Sequence, residues 1–151
     1  MKDSLRFNRA AILQCIPQGD PFVFLDSAVL GDKEIFGDYL ITGEECFMAG
    51  HFPERPVFPA SIMVEALGQL AIMYMLQMDR DDQIDPTSIY FIKSEDVQCR
   101  RKCLPGDCLE MSIRERRVRA PLMTFSGEIK VNGEIAVKVS SMALSFAKVN
   151  N

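Results

Sequence analysis

One run of this chain limits its fold more than any other: "ASIMVEALGQLAIMYMLQM", Ala60 to Met78. It holds no proline and a single glycine, Gly68. Ile62, Met63, Val64, Leu67, Leu70, Ile72, Met73, Met75 and Leu76 would lie on every side of the helix it forms. A helix that is apolar all round is buried all round. At its usual rise per residue it spans about 28 Å, the width of a small domain. Pro59 fits the helix start, where its missing N–H is no loss. Such a rod needs a covering layer, and the rest of the chain offers mainly strands.

Leu109, Met111 and Ile113 alternate with Glu110, Ser112 and Arg114, the period of a half-buried strand. Ile129 to Val131 and Ile135 to Val137 flank Asn132-Gly133, a strong hairpin signal. The apolar phase shifts across Ser140-Ser141, which predicts a bulge. Phe22 to Leu25, Ile35 to Ile41 and Tyr90 to Ile92 are further strand candidates. Gly31-Asp32 and Pro105-Gly106-Asp107 read as turns. Arg6 to Ile16 reads as a short helix ended by Pro17. Thr42 to Cys46 offers an N-cap and two early acids for one helical turn. The expectation is one α+β domain over residues 1–151, a long central helix wrapped by an antiparallel sheet of five or six strands.

Length and charge narrow the function. A chain of 151 residues supports one real core. A net charge of −4 argues against broad nucleic-acid binding. Met1 to Phe7 lacks the apolar stretch of a signal peptide. Glu65 and Gln69 interrupt the apolar run, so it is not read as a membrane span. The five cysteines are odd in number and scattered, as expected for reduced thiols in a cytoplasmic protein. His51, the one histidine, stands far from Cys99, Cys103 and Cys108, and no metal site is expected.

The chemistry concentrates around the helix start. Ser61, Glu65 and Gln69 are spaced by four and make one polar stripe on the apolar rod. A carboxylate there is costly to ionise, so its pKa should rise, and a protonated acid near neutral pH is a proton donor. His51 supplies an imidazole, the side chain most often used as a base. Pro53, Pro56 and Pro59 make the connection between the two stiff. The free N–H groups near Ala60 and Ser61 can polarise a carbonyl oxygen. Base, acid and polarising donor together suit proton abstraction beside a carbonyl, followed by loss of a β-hydroxyl. The same residues also fit a plainer reading, a solvated turn histidine and a glutamate bonded to Gln69. Composition and spacing leave both open.

The stretch "GHFPERPVFPASIMVEALGQLA", Gly50 to Ala71, closely resembles the signature of the FabZ-like β-hydroxyacyl-acyl-carrier-protein dehydratases, which have the hotdog fold. Their pattern runs Gly-His-Phe-Pro, two residues, Pro, two residues, Pro-Gly, then a helix with Glu-Ala-x-x-Gln. "IPQGDPFVFLD" at Ile16 to Asp26, "CRRKCLPGDCLEM" at Cys99 to Met111 and "FSGEIKVNGEIAVKV" at Phe125 to Val139 resemble further parts of that family. The resemblance covers about Ile12 to Phe146 and implies a hotdog domain. It also implies a homodimer whose active site takes its histidine from one subunit and its carboxylate from the other. A further trimer of dimers stays open. By the motif, His51 matches the catalytic histidine and Glu65 the catalytic acid. Ala60 matches the glycine whose N–H faces the thioester carbonyl, and Gln69 the glutamine behind the acid. Ser61, Phe52 and Phe58 are further candidates for substrate contact. No metal or redox cofactor is implied. The substrate would arrive on the phosphopantetheine arm of an acyl carrier protein and leave as a trans-2-enoyl thioester.

Several positions depart from the family pattern. Ala60 replaces the usual glycine, and "QGD" at Gln18 to Asp20 replaces His-Arg-x. Cys99 replaces a phenylalanine, and "KSEDV" at Lys93 to Val97 replaces the usual neighbourhood. These bear on substrate range and rate. Basic residues at Arg100 to Lys102, at Arg114 to Arg119 and at Arg55 are candidates for docking an acidic carrier. Two alternatives stand beside the dehydratase. One is a hotdog thioesterase, disfavoured by the His51/Glu65 pair. The other is a non-catalytic scaffold that binds carrier protein, which Ala60 keeps open.

Overall fold

The structure is a computed structural model that describes residues 5–149. Seven strands form one antiparallel sheet: β1 (Leu5–Asn8), β2 (Ser27–Leu30), β3 (Glu34–Leu40), β4 (Tyr90–Cys99), β5 (Cys108–Arg119), β6 (Leu122–Val131) and β7 (Glu134–Ser145). Their order across the sheet is β1-β2-β3-β5-β6-β7-β4. A short helix α1 (Arg9–Cys15) follows β1, and the long helix α2 (Ala60–Met78) packs against β3, β5 and β6. Every residue from Ala66 to Met75 is buried, as the apolar run requires. By length and mean hydropathy, 1.3, α2 is also apolar enough to cross a membrane, yet 61% of that window is buried within this domain. Hotdog folds have this architecture, one central helix against a curled antiparallel sheet.

The sheet's inner face carries the alternation expected from the sequence: Leu109, Met111 and Ile113 on β5, and Phe125, Ile129 and Val131 on β6, are all buried. Two glycines let α2 sit close. A Cβ on Gly127 would lie 2.7 Å from Ile113 Cδ1 and 3.4 Å from Leu67 Cδ2. One on Gly37 would lie 2.9 Å from Leu70 Cδ1 and 3.2 Å from the Ser27 carbonyl oxygen. The helix leucines fill the space that the missing side chains leave. Asn132 (φ 51°) and Gly133 (φ 79°) turn the β6–β7 hairpin in the left-handed region that this tight turn demands. Phe125 pairs with Met142 and Gly127 with Val139, so Ser140 and Ser141 oppose the single Ser126. That is the bulge expected from the phase shift.

Five expectations need correction. The sheet has seven strands where five or six were expected, because Leu5–Asn8 and Ser27–Leu30 pair as strands. Leu5 to Asn8 pairs with β2, and helix α1 starts only at Arg9, because the Asn8 side chain accepts from the Ala11 N–H (2.9 Å) and caps it there. Phe22 to Leu25 is no strand; its backbone groups bond to side chains, as set out below. Thr42 to Cys46 forms no helical turn. The Glu45 carboxylate folds back onto the N–H groups of Thr42 (2.7 Å) and Gly43 (3.1 Å), and a 3₁₀ turn forms later, at Met48–Gly50. The strand seen at Tyr90 to Ile92 runs on to Cys99.

Gly127→Val should destabilise the fold by about 1–3 kcal/mol, because the new methyls enter filled space. Urea denaturation checks this; a midpoint equal to the wild type would mean that Ile113 and Leu67 do not fill the space over Gly127 as described.

Candidate active site

His51 sits on a stiff loop closed by its own backbone. The Val57 N–H donates to the His51 carbonyl (2.7 Å), and the Arg55 N–H to the Phe52 carbonyl (3.1 Å). The Phe58 N–H donates to the Cys103 carbonyl (2.8 Å), tying the loop to the segment after β4. His51 Nδ1 lies 2.7 Å from the Val57 carbonyl oxygen. A carbonyl can only accept, so Nδ1 carries a proton, and in the neutral ring the lone pair is on Nε2. A cavity of about 440 Å³ opens beside the ring, lined by His51, Val57, Phe58, Ala60, Met63 and Cys99 to Lys102. Ala60 begins α2, and Pro59 before it gives no side-chain cap. The first N–H groups of the helix therefore lack intrahelical acceptors beside this cavity.

Glu65 is half-buried on α2. Burial pushes its carboxyl above the usual carboxylate range, and a hydrogen bond from Gln69 pulls it part of the way back. Gln69 is fully buried. Its Nε2 donates to Glu65 Oε1 (3.1 Å) and to the Phe22 carbonyl (3.0 Å), and its Oε1 accepts from the Phe24 N–H (2.9 Å). The two bonds to Phe22 and Phe24 use backbone groups that a strand ladder would need. They explain why Phe22 to Leu25 runs as a strap across α2.

The structure thus gathers His51, Phe58 and Ala60 at one cavity, and Glu65 with Gln69 at another place on the helix. Glu65 does not line the His51 cavity. Phe58 is also core, packed against Phe47 (5.6 Å), Tyr39 (5.9 Å) and Phe24 (6.1 Å). Phe52 stacks on the His51 ring at 4.3 Å and is otherwise exposed, and Ser61 is exposed. Arg101 is held by Asp107 (3.4 Å) and Glu134 (3.3 Å), whereas Arg100 and Lys102 are exposed at the cavity rim. All five cysteines are free. The residues the sequence did not reveal are Met63 as a cavity wall and Arg9, which grips the strap from its other side.

The raised Glu65 pKa has a consequence for stability. The folded chain holds that proton more tightly than the unfolded chain. The stabilisation is complete at low pH and is lost as pH rises from the ordinary carboxylate range through the raised pKa. Glu65→Gln keeps an acceptor for Gln69 and carries no charge. Its melting temperature should exceed the wild type's at neutral pH by a few degrees, with the gap closing in acid; scanning calorimetry across pH reads this directly. A gap independent of pH would contradict the burial of the charge.

Comparison with known proteins identifies the family. The FabA-like domain matches residues 16–140. The 3-hydroxyacyl-[acyl-carrier-protein] dehydratase FabZ of Nitrobacter winogradskyi is 30% identical, over 95% of this chain and 98% of the relative. FabZ of Bradyrhizobium diazoefficiens is 32% identical over 89% and 88% of the two chains. FabZ of Xanthomonas campestris pv. campestris is 34% identical over 84% of each. Among solved structures, the dehydratase heterocomplex ApeI:P from Xenorhabdus doucetiae shares the fold with a TM-score of 0.75 at 14% identity, over 93% of this chain and 91% of that one. A thioesterase from Pseudomonas aeruginosa matches with a TM-score of 0.61 at 9% identity, over 80% and 78%. With its motif, its hotdog architecture and these relatives in agreement, the chain belongs to the FabA-like family, among the FabZ-type dehydratases.

Proposed function

We propose that this protein dehydrates 3-hydroxyacyl thioesters on an acyl carrier protein to trans-2-enoyl thioesters, with His51 as base and Glu65 as acid. The observation that carries the reading is the His51 tautomer. With Nδ1–H committed to Val57, Nε2 is free to take a proton beside a cavity at a helix N-terminus. FabZ relatives over most of the chain support the substrate class.

The steps follow from the residues. The thioester carbonyl accepts from the N–H groups at the start of α2, near Ala60, which stabilises negative charge on that oxygen. His51 Nε2 removes the α-proton, and the C–H electron pair moves toward the carbonyl. As the pair returns to form the α,β double bond, the C–O bond at the β-carbon breaks. Protonated Glu65 supplies the proton with which the hydroxyl leaves as water. The charged rim at Arg100 and Lys102 suits an acidic carrier and its phosphodiester-linked arm.

The acid and base meet, on this reading, across a homodimer. β4 is an edge strand with Tyr90 68%, Ile92 48% and Val97 40% exposed. A long uncovered edge with apolar side chains is what a second chain pairs with. The reading requires that a second copy on that edge bring one chain's Glu65 to the other's His51.

Hydration of a trans-2-enoyl thioester on acyl carrier protein, followed by loss of its conjugated absorbance, tests the chemistry. His51→Ala and Glu65→Gln should each lower kcat by about 10²-fold or more. A well-folded wild type inert across several chain lengths would overturn the reading in favour of a carrier-binding scaffold. Mixing the two inactive variants tests the shared site. Random exchange gives half the dimers one intact composite site of two, so about a quarter of wild-type activity should return. No recovery after verified subunit exchange would place both groups in one chain's site.

A further inference from the structure

We infer that Arg9 is a positioning residue for Glu65, acting through the strap Asp20 to Asp26 and the Gln69 amide; the inference rests on the dehydratase reading. Arg9 is the first residue of α1, where the helix dipole disfavours a cation, and no acidic side chain in that first turn offsets it. Its guanidinium instead reaches the strap. Nη1 donates to the Val23 carbonyl (3.2 Å) and the Leu25 carbonyl (3.0 Å), and Nη2 pairs with Asp20. Asp26 lies 3.6 Å from Nη1, and its other oxygen accepts from the Leu40 N–H (2.7 Å).

Gln69 holds the same strap from the other side, at the Phe22 carbonyl and the Phe24 N–H. The strap's backbone groups are thus divided, residues 23 and 25 to Arg9, residues 22 and 24 to Gln69. Gln69 has two N–H bonds to give, one to Phe22 and one to Glu65. The place of the Phe22 carbonyl therefore decides where the second N–H points, and with it where Glu65 is held. A planar, forked donor can fix two carbonyls at once, which a lysine cannot. The side chains of Val23, Phe24 and Leu25 are buried, so the strap stays docked when Arg9 is lost. What changes is its register against Gln69.

Arg9→Met and Arg9→Lys separate this from a structural role. Arg9→Met should lower kcat for enoyl-thioester hydration about tenfold or more, since small displacements of a catalytic group are costly. KM should change little, because the carrier docks elsewhere. Arg9→Lys should recover part of the loss. In a Gln69→Met background, Arg9→Met should add no further loss in kcat, because both act on one link. NMR hydrogen exchange of the Gln69 side-chain amide gives a readout without turnover, and it should quicken in Arg9→Met. An unchanged kcat, or an equal loss with and without Gln69, would overturn the proposal. If the wild type itself hydrates no substrate, the dehydratase reading fails on its own. The amide then decides the link: faster exchange in Arg9→Met supports it, and unchanged exchange overturns it.

Discussion

The rotation of the central helix depends on one amide. Hydrophobic burial has no direction, and a rod that is apolar on every side has no preferred face to present. Gln69 supplies the preference. It is the buried polar side chain among the described residues, and its N–H groups and oxygen all find partners. Turning α2 about its axis would break the two bonds to Phe22 and Phe24 in an interior where no water replaces them. The same amide therefore fixes the helix, the strap across it and the direction of Glu65. The close seating at Gly37 and Gly127 then follows, since Leu70 and Leu67 meet those gaps only in one rotation.

Much of this fold was legible because its signals are local. The apolar run announced α2, alternation announced β5, and Asn132-Gly133 with the Ser140-Ser141 phase shift announced the last hairpin and its bulge. What escaped depends on partners distant in sequence. "FVFL" has strand composition, yet its N–H and C=O groups are taken by Gln69 and Arg9, far along the chain in either direction. Leu5 to Asn8 is a strand through its pairing with β2, and four residues carry too little pattern to show it. Glu45 looked like an early helix acid because spacing cannot say which N–H a carboxylate folds back to find.

The site divides along the same line. The four-residue spacing of Glu65 and Gln69 placed them together on α2, and their hydrogen bond is there. The partner of His51 Nδ1 was not readable, because a tautomer is set by a carbonyl that only the folded loop brings near. The motif resemblance marked His51 as a candidate base without giving this partner. Arg9 left no readable trace, since the helix was expected from Arg6; only the Asn8 cap puts this cation at a helix start that disfavours it. A residue that violates a local preference is often satisfied by something outside its own element.

On the proposed reading, the position of Glu65 joins stability and function in a single quantity. On an exposed loop its carboxyl would ionise in the ordinary range and would hold no proton to donate at neutral pH. Set among the apolar side chains of α2, it keeps the proton to higher pH, and the folded chain loses stability there by the same shift. The hydrogen bond from Gln69 works against that shift while fixing the carboxyl in place. Burial and hydrogen bonding thus oppose each other at one group, and a stronger bond from Gln69 would hold Glu65 more firmly only by leaving less of it protonated at a given pH. The buried strap, gripped from both sides, is where the fold sets that balance, since it decides how squarely Gln69 meets the acid.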